Sequence, residues 1–188
     1  MATSSILQLA LLLLLSAAVS SKGYDSLRFH QRRTNHRSVS LLNEMIGKIP
    51  PACLRDRMDF KIPREMVQPK QCQKENATMV IHEMLQHIFL LFSSKNASPA
   101  VDKTIIETFL SGIYQQMVHL EMALEEEADQ ANSTWGSEEN IFNLNNYYQG
   151  IVNYLENKEY SSCAWKRVQE EIRKNFVFLS KWTECLKN

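Results

Sequence analysis

The chain has 188 residues, equal numbers of basic and acidic side chains for a formal net charge of zero, and only five glycines and five prolines. A neutral chain with no basic domain or motif does not read as a nucleic-acid binder. So few glycines, widely scattered, form neither a phosphate-cradling loop nor a nucleophile elbow.

Residues 1–21 carry no charged side chain, and the run from Ile6 to Leu15 is almost entirely aliphatic before it turns small at Ser16-Ala-Ala-Val-Ser-Ser. This pattern reads as a secretory signal peptide cleaved after Ser21, because the apolar run is shorter than the roughly 20 residues a bilayer span needs. No later segment is apolar and long enough to cross a membrane, so residues 22–188 are expected to be one secreted domain. Four cysteines in an oxidising compartment suggest two disulfides, and spacing alone leaves three connectivities. Asn76-Ala-Thr, Asn96-Ala-Ser and Asn132-Ser-Thr fit the N-glycosylation pattern. Basic side chains outnumber acidic ones two to one from Lys22 to Glu75 and again from Cys163 onward, while the ratio between is one to four. A dipolar surface of this kind orients a protein partner.

Strand-like alternation is scarce, so the default is an all-α protein, and five helical segments can be drawn. The first runs from about Tyr24 to Met45, with Leu27, Val39, Leu41, Leu42 and Met45 as its apolar set. A crossover from Gly47 to Gln71 follows, and its Pro50, Pro51, Pro63 and Pro69 leave little room for regular helix. The second helix, about Gln73 to Phe92, carries a broad stripe of Val80, Ile81, Met84, Leu85, Ile88, Leu91 and Phe92. The third, about Val101 to Glu127, offers Ile106, Phe109, Leu110, Ile113, Met117, Leu120 and Leu124. A polar segment from Asp129 to Ser137 is expected to be mobile. The fourth helix, about Glu138 to Asn157, presents Leu144, Tyr147, Tyr148, Ile151 and Leu155.

The fifth segment is the most regular. Trp165, Val168, Ile172, Phe176, Leu179, Trp182 and Leu186 recur at spacings of three and four, the period of a helix that buries one stripe. Ser161 or Ser162 can cap it by accepting a hydrogen bond from a first-turn N–H. Its other face carries Lys166, Arg167, Glu170, Arg173, Lys174 and Lys181, either plain solvated surface or a face for a partner.

Helices with one apolar stripe bury it against one another, so the architecture is a bundle. A crossover of about 25 residues is long enough to return the chain to its starting end, so the first two helices run parallel, whereas the shorter next link suits antiparallel neighbours. The result is an up-up-down-down helical cytokine bundle, with the fourth helix as an added element in the second crossover. Direction alone then pairs Cys53 with Cys163 at one end and Cys72 with Cys185 at the other.

Rival chemistries find little support. His82-Glu-Met-Leu-Gln-His87 is a near miss for a zinc-binding helix, because side chains at i and i+5 are displaced by about 140 degrees. No metal, no cofactor and no enzymatic activity are expected. A secreted helical carrier of a small apolar ligand is the alternative function, although large side chains on every stripe favour a filled core.

Cys53-Leu-Arg-Asp-Arg-Met-Asp-Phe with Ile62-Pro63, His82-Glu-Met-Leu-Gln-His-Ile-Phe, Tyr114-Gln-Gln, and Tyr154-Leu-Glu-Asn-Lys-Glu-Tyr-Ser-Ser-Cys-Ala-Trp resemble a type I interferon across residues 22–188. Lys61-Ile-Pro-Arg-Glu-Met and Asn175-Phe point to the beta branch of that family. The resemblance implies a secreted antiviral cytokine that bridges the two subunits of the type I interferon receptor and triggers JAK–STAT signalling. It assigns contact with the high-affinity subunit to Leu54, Arg55 and Arg57 in the crossover and to Gln169, Glu170, Arg173, Lys174 and Phe178 on the last helix. Contact with the low-affinity subunit falls to His82, Glu83, Gln86, Phe89, Leu110, Tyr114 and the neighbourhood of Gly150. Members commonly place an arginine where this chain has Gly150, which supplies no charge and weakens its helix by about 1 kcal/mol relative to alanine.

Overall fold

The structure, a computed structural model, describes the backbone of residues 2–55, 58–67, 72–94, 101–128 and 138–187, and within these the side chains of all but residues 2–22, 55, 65, 126–128 and 138–140. The described residues contain helices and no strand. Helix α1 spans Ala2–Ile46, a 3-10 turn Pro51–Arg55, α2 Arg64–Val67, α3 Lys74–Ser93, α4 Lys103–Ala128, α5 Glu138–Asn157 and α6 Ser162–Glu184.

The long helices match the five predicted segments. The largest difference is α1, whose helical backbone continues back through the run read as a signal peptide. Leucine and alanine dominate that run, and both are strong helix formers. At the other end Gly47 adopts φ +51° and its N–H donates to Asn43 O at 3.0 Å, a left-handed stop that glycine tolerates without a Cβ penalty. Among its described residues the proline-rich crossover holds only the 3-10 turn and the single turn of α2, in keeping with its prolines. Ser161 caps α6 by accepting from Ala164 N–H at 3.4 Å.

Contacts along the helices give their directions. Asn35 of α1 meets Thr183 of α6 while Ile46 meets Lys166, so these two are antiparallel. His30 of α1 packs on His119 of α4 and Thr34 lies by Gly112, again antiparallel. His82 and Phe89 of α3 pair with Glu121 and Tyr114 of α4, so α3 also opposes α4. Helices α1 and α3 therefore run one way and α4 and α6 the other, which is the up-up-down-down order. Helix α5 runs alongside α3, with Ile141 and Leu144 near Glu83 and Tyr148 near His87, and a tight reversal at Glu159 and Tyr160, both at positive φ, starts α6 downward. Both expected disulfides are present, Cys53–Cys163 with Cα atoms 5.0 Å apart and Cys72–Cys185 at 4.9 Å.

The α3 stripe and the α5 and α6 stripes are buried throughout, and Phe92, Phe109, Trp165 and Phe176 interlock edge to face or tilted at the centre. Such rings fill volume at interior density. A carrier pocket would need some hundreds of Å³. The apolar cavity beside Met66, Val80, Leu144 and Trp182 has about 20 Å³, and the larger hollows, of about 240 to 510 Å³, are more open grooves at the surface.

Candidate receptor-binding surfaces

One surface forms where the Cys53–Cys163 bridge holds the crossover against the start of α6. The 3-10 turn places Leu54 beside the bridge, 58% exposed despite its apolar side chain. Around it the α6 cations are anchored to different degrees. Lys166 Nζ donates to Ile46 O at 2.6 Å, the C-terminal carbonyl of α1, where the helix dipole also favours a cation. Arg167 donates to Glu170 at 2.6 Å and reaches Met58 O at 3.5 Å. Arg173 donates to Asn43 Oδ1 at 3.4 Å and stays exposed, as does Lys174, which pairs with the buried Glu171 at 3.0 Å. Phe178 is half-buried under Lys181 Nζ, 5.4 Å from the ring centre. Farther along, Lys181 Nζ and Trp182 Nε1 donate to the carbonyls of Val67 and Met66, tying α2 to α6.

The structure thus brings Leu54, Glu170, Arg173, Lys174 and Phe178 to one side of the molecule. Gln169 requires a correction: it is 1% exposed, and neither atom of its amide group has a hydrogen-bond partner, so the folded chain does not offer it as a surface contact. The reason lies in the helical period, which sets position 169 one turn from both Trp165 and Ile172 of the buried stripe. Arg57 lies outside the described residues, as does the Arg55 side chain. Val177, 55% exposed and one turn from Arg173 and Lys174, belongs to this face and escaped the sequence reading. Its signal was an apolar residue off the stripe.

The second surface spans α3 and α4. The Phe89 and Tyr114 rings lie 6.4 Å apart, with Leu110 half-buried near them and Tyr114 58% exposed. Leu90, also 58% exposed, extends the apolar area and was not anticipated. His82 Nε2 and Glu121 Oε1 are 2.9 Å apart, Gln86 is exposed, and Glu83 turns toward α5. His87 leaves His82 altogether: it stacks on Tyr148 with ring centres 4.6 Å apart and meets Asn145 Oδ1 at 2.7 Å. The near-motif therefore sends its two histidines to different helices. On α5, a Cβ built at Gly150 would meet nothing within 4 Å.

Between the surfaces lies a buried polar cluster. Tyr147 OH donates to Glu171 at 2.8 Å, Tyr148 OH to Asn175 Oδ1 at 2.7 Å, and Asn175 Nδ2 to Tyr147 OH at 2.8 Å. Burial pushes both phenols far above their ordinary range, so both hydroxyls stay neutral. Of the glycosylation acceptors, Asn76 sits in the first turn of α3 with Thr78 buried beside it, while Asn96, Asn132 and the segment expected to be mobile lie outside the described residues.

A long-crossover bundle with two lateral surfaces and two end-to-end disulfides is the build of a helical cytokine. A family model described as the interferon alpha/beta domain matches residues 27–186, and the chain belongs to that family, the type I interferons, which are cytokines and not enzymes. Within it the chain is beta-like: it is 41% identical over 188 residues to interferon beta of Macaca fascicularis and, equally, of Homo sapiens, with 100% of each chain covered. The fold is that of a solved structure, zebrafish interferon 1, at TM-score 0.70 and 18% identity, covering 86% of this chain and 99% of that one.

Proposed function

We propose that this cytokine is exported by loss of residues 1–21, carries N-glycans, and bridges the two subunits of the type I interferon receptor, so that JAK–STAT signalling and an antiviral state follow. The high-affinity subunit binds Leu54, Arg55, Arg57, Glu170, Arg173, Lys174 and Phe178. The low-affinity subunit binds the α3–α4 face with His82, Glu83, Gln86, Phe89, Leu110 and Tyr114, and the part of α5 around Gly150.

The observation that carries the reading is the exposed Leu54, held by a disulfide beside Lys166 and Arg167 of α6, with the exposed Arg173 and Lys174 farther along the same helix. An apolar anchor on a covalently fixed turn, bordered by Lys166 and Arg167, loses little entropy when it binds, and such preorganised anchors dominate interface energetics. Surface plasmon resonance on the two receptor ectodomains tests it. The parent is expected to bind the high-affinity subunit at nanomolar Kd, and Arg173→Ala to weaken that binding by roughly fivefold or more, above 1 kcal/mol. Equal affinity of variant and parent rejects the assignment.

A further inference from the structure

Between Arg28 and Arg37 the chain places four arginines and two histidines in ten residues with no carboxylate among them. All lie on α1, where one residue adds 1.5 Å of rise. Arg28, Arg32 and His36 therefore form one row with about 6 Å between steps, and Phe29, Arg33 and Arg37 form a second row beside it. Arg32, Arg33, His36 and Arg37 are exposed, and Phe29 is 69% exposed. Arg33 and Arg37 have no ion-pair partner among the described residues.

The neighbouring edge of α6 extends this surface. Lys181 lines a groove that Arg32 and His36 line from the α1 side, and Lys187 reaches it through its pairing with Glu184. The carboxylate inside it is Glu184, shared between Arg32 at 3.3 Å and Lys187 at 3.2 Å, so one negative charge answers two positive ones. Asp25 and Glu44 stand beyond the two ends of the rows. A formally neutral protein has thus gathered a linear set of cations on the outside of one helix, of which only Arg32 is answered by a carboxylate among the described residues. Neither candidate receptor surface uses the two α1 rows, since those surfaces consist of the crossover with α6 as far as Phe178 and of the α3, α4 and α5 faces; the two come nearest at Lys181, over the Phe178 ring.

We infer that this face of α1 binds a linear sulfated polysaccharide. Two straight rows of cations match a ligand whose charges repeat along one axis, and guanidinium groups bind oxyanions in a paired geometry that ammonium groups do not. Phe29 at the head of the second row covers the C–H face of a sugar ring. A single exposed aromatic is a poor stacking platform for successive bases. The inference rests on the export reading, because sulfated polysaccharides are encountered outside the cell.

The test uses the protein lacking residues 1–21, applied to immobilised heparin, to desulfated heparin, to a single-stranded oligodeoxynucleotide and to phosphatidylserine vesicles. Retention on heparin beyond physiological salt, lost on desulfation and weakened roughly tenfold in Arg33→Ala/Arg37→Ala, supports the site. The Arg33→Lys/Arg37→Lys variant should recover only part of the binding. Elution of the parent at or below physiological salt, equal binding of the alanine variant, or stronger binding to the oligonucleotide or the vesicles overturns it. Receptor affinity of the alanine variant, measured in parallel, separates the two readings: it should equal the parent's whatever the heparin result.

Discussion

At the scale of single residues, position decides whether a side chain is chemistry or structure. His30 packs against His119 with ring centres 4.3 Å apart, and its Nδ1 is buried without a partner. Burial, then the neighbouring His119, then Arg33 lower its pKa below the ordinary 6.5. A histidine depressed in the folded state binds a proton more readily when unfolded, so stability is full above about pH 6.5 and declines as pH falls through that value. Melting temperatures measured from pH 7.5 to 5 should fall more steeply for the parent than for His30→Gln; parallel curves would remove His30 from the account. Gly150 is the second case. With open space where its Cβ would be, Gly150→Ala should stabilise the protein by roughly 0.5–1 kcal/mol in chemical denaturation, through helix propensity alone. Gly150→Arg tests function at the same position, since restoring a cation there should tighten binding to the low-affinity subunit, read by plasmon resonance.

At the scale of elements, polar contacts inside the bundle set which helix sits where. The α5–α6 pair is keyed by Tyr147, Tyr148, Glu171 and Asn175, and α1, α4 and α6 are keyed by Gln31, Gln116, Asn35 and Thr183. Gln116 Nε2 donates to Gln31 Oε1 at 2.5 Å and to Asn35 Oδ1 at 2.9 Å, all of it buried. Apolar stripes slide past one another at little cost, whereas a shifted register would strand these groups without partners. Tyr148→Phe removes the donor to Asn175 and should cost about 1–3 kcal/mol in urea unfolding without moving the receptor surfaces. A variant as stable as the parent would mean that the cluster adds nothing to the packing around it.

At the scale of the whole molecule, two disulfides close the bundle at opposite ends, each spanning more than half of the chain. Linking residues 110 apart in sequence restricts the unfolded chain by roughly 4–5 kcal/mol in the entropy model. The Cys53–Cys163 bridge has a second consequence, since it also holds Leu54 beside α6. Cys53→Ser/Cys163→Ser should therefore lower the melting temperature and weaken binding to the high-affinity subunit more than to the low-affinity one. Equal loss at both subunits would point to general unfolding.

Much of this was legible before any coordinates. Helical period is a local property, so every stripe residue read from the sequence of α3, α5 and α6 is buried, with Ala77, Met79, Tyr154 and Ala164 joining them, and loop length together with helix direction was enough to pair all four cysteines. Burial of a polar side chain is different, because it depends on what packs against it from elsewhere in the chain. Gln169, Gln31 and Gln116 look like surface residues in the sequence, and only the neighbouring helices and the crossover take them out of water. The two rows of α1 cations are a middle case: their spacing is written in the sequence, but that Arg32 meets Glu184 while Arg33 and Arg37 meet no acidic partner among the described residues is a property of the assembled bundle.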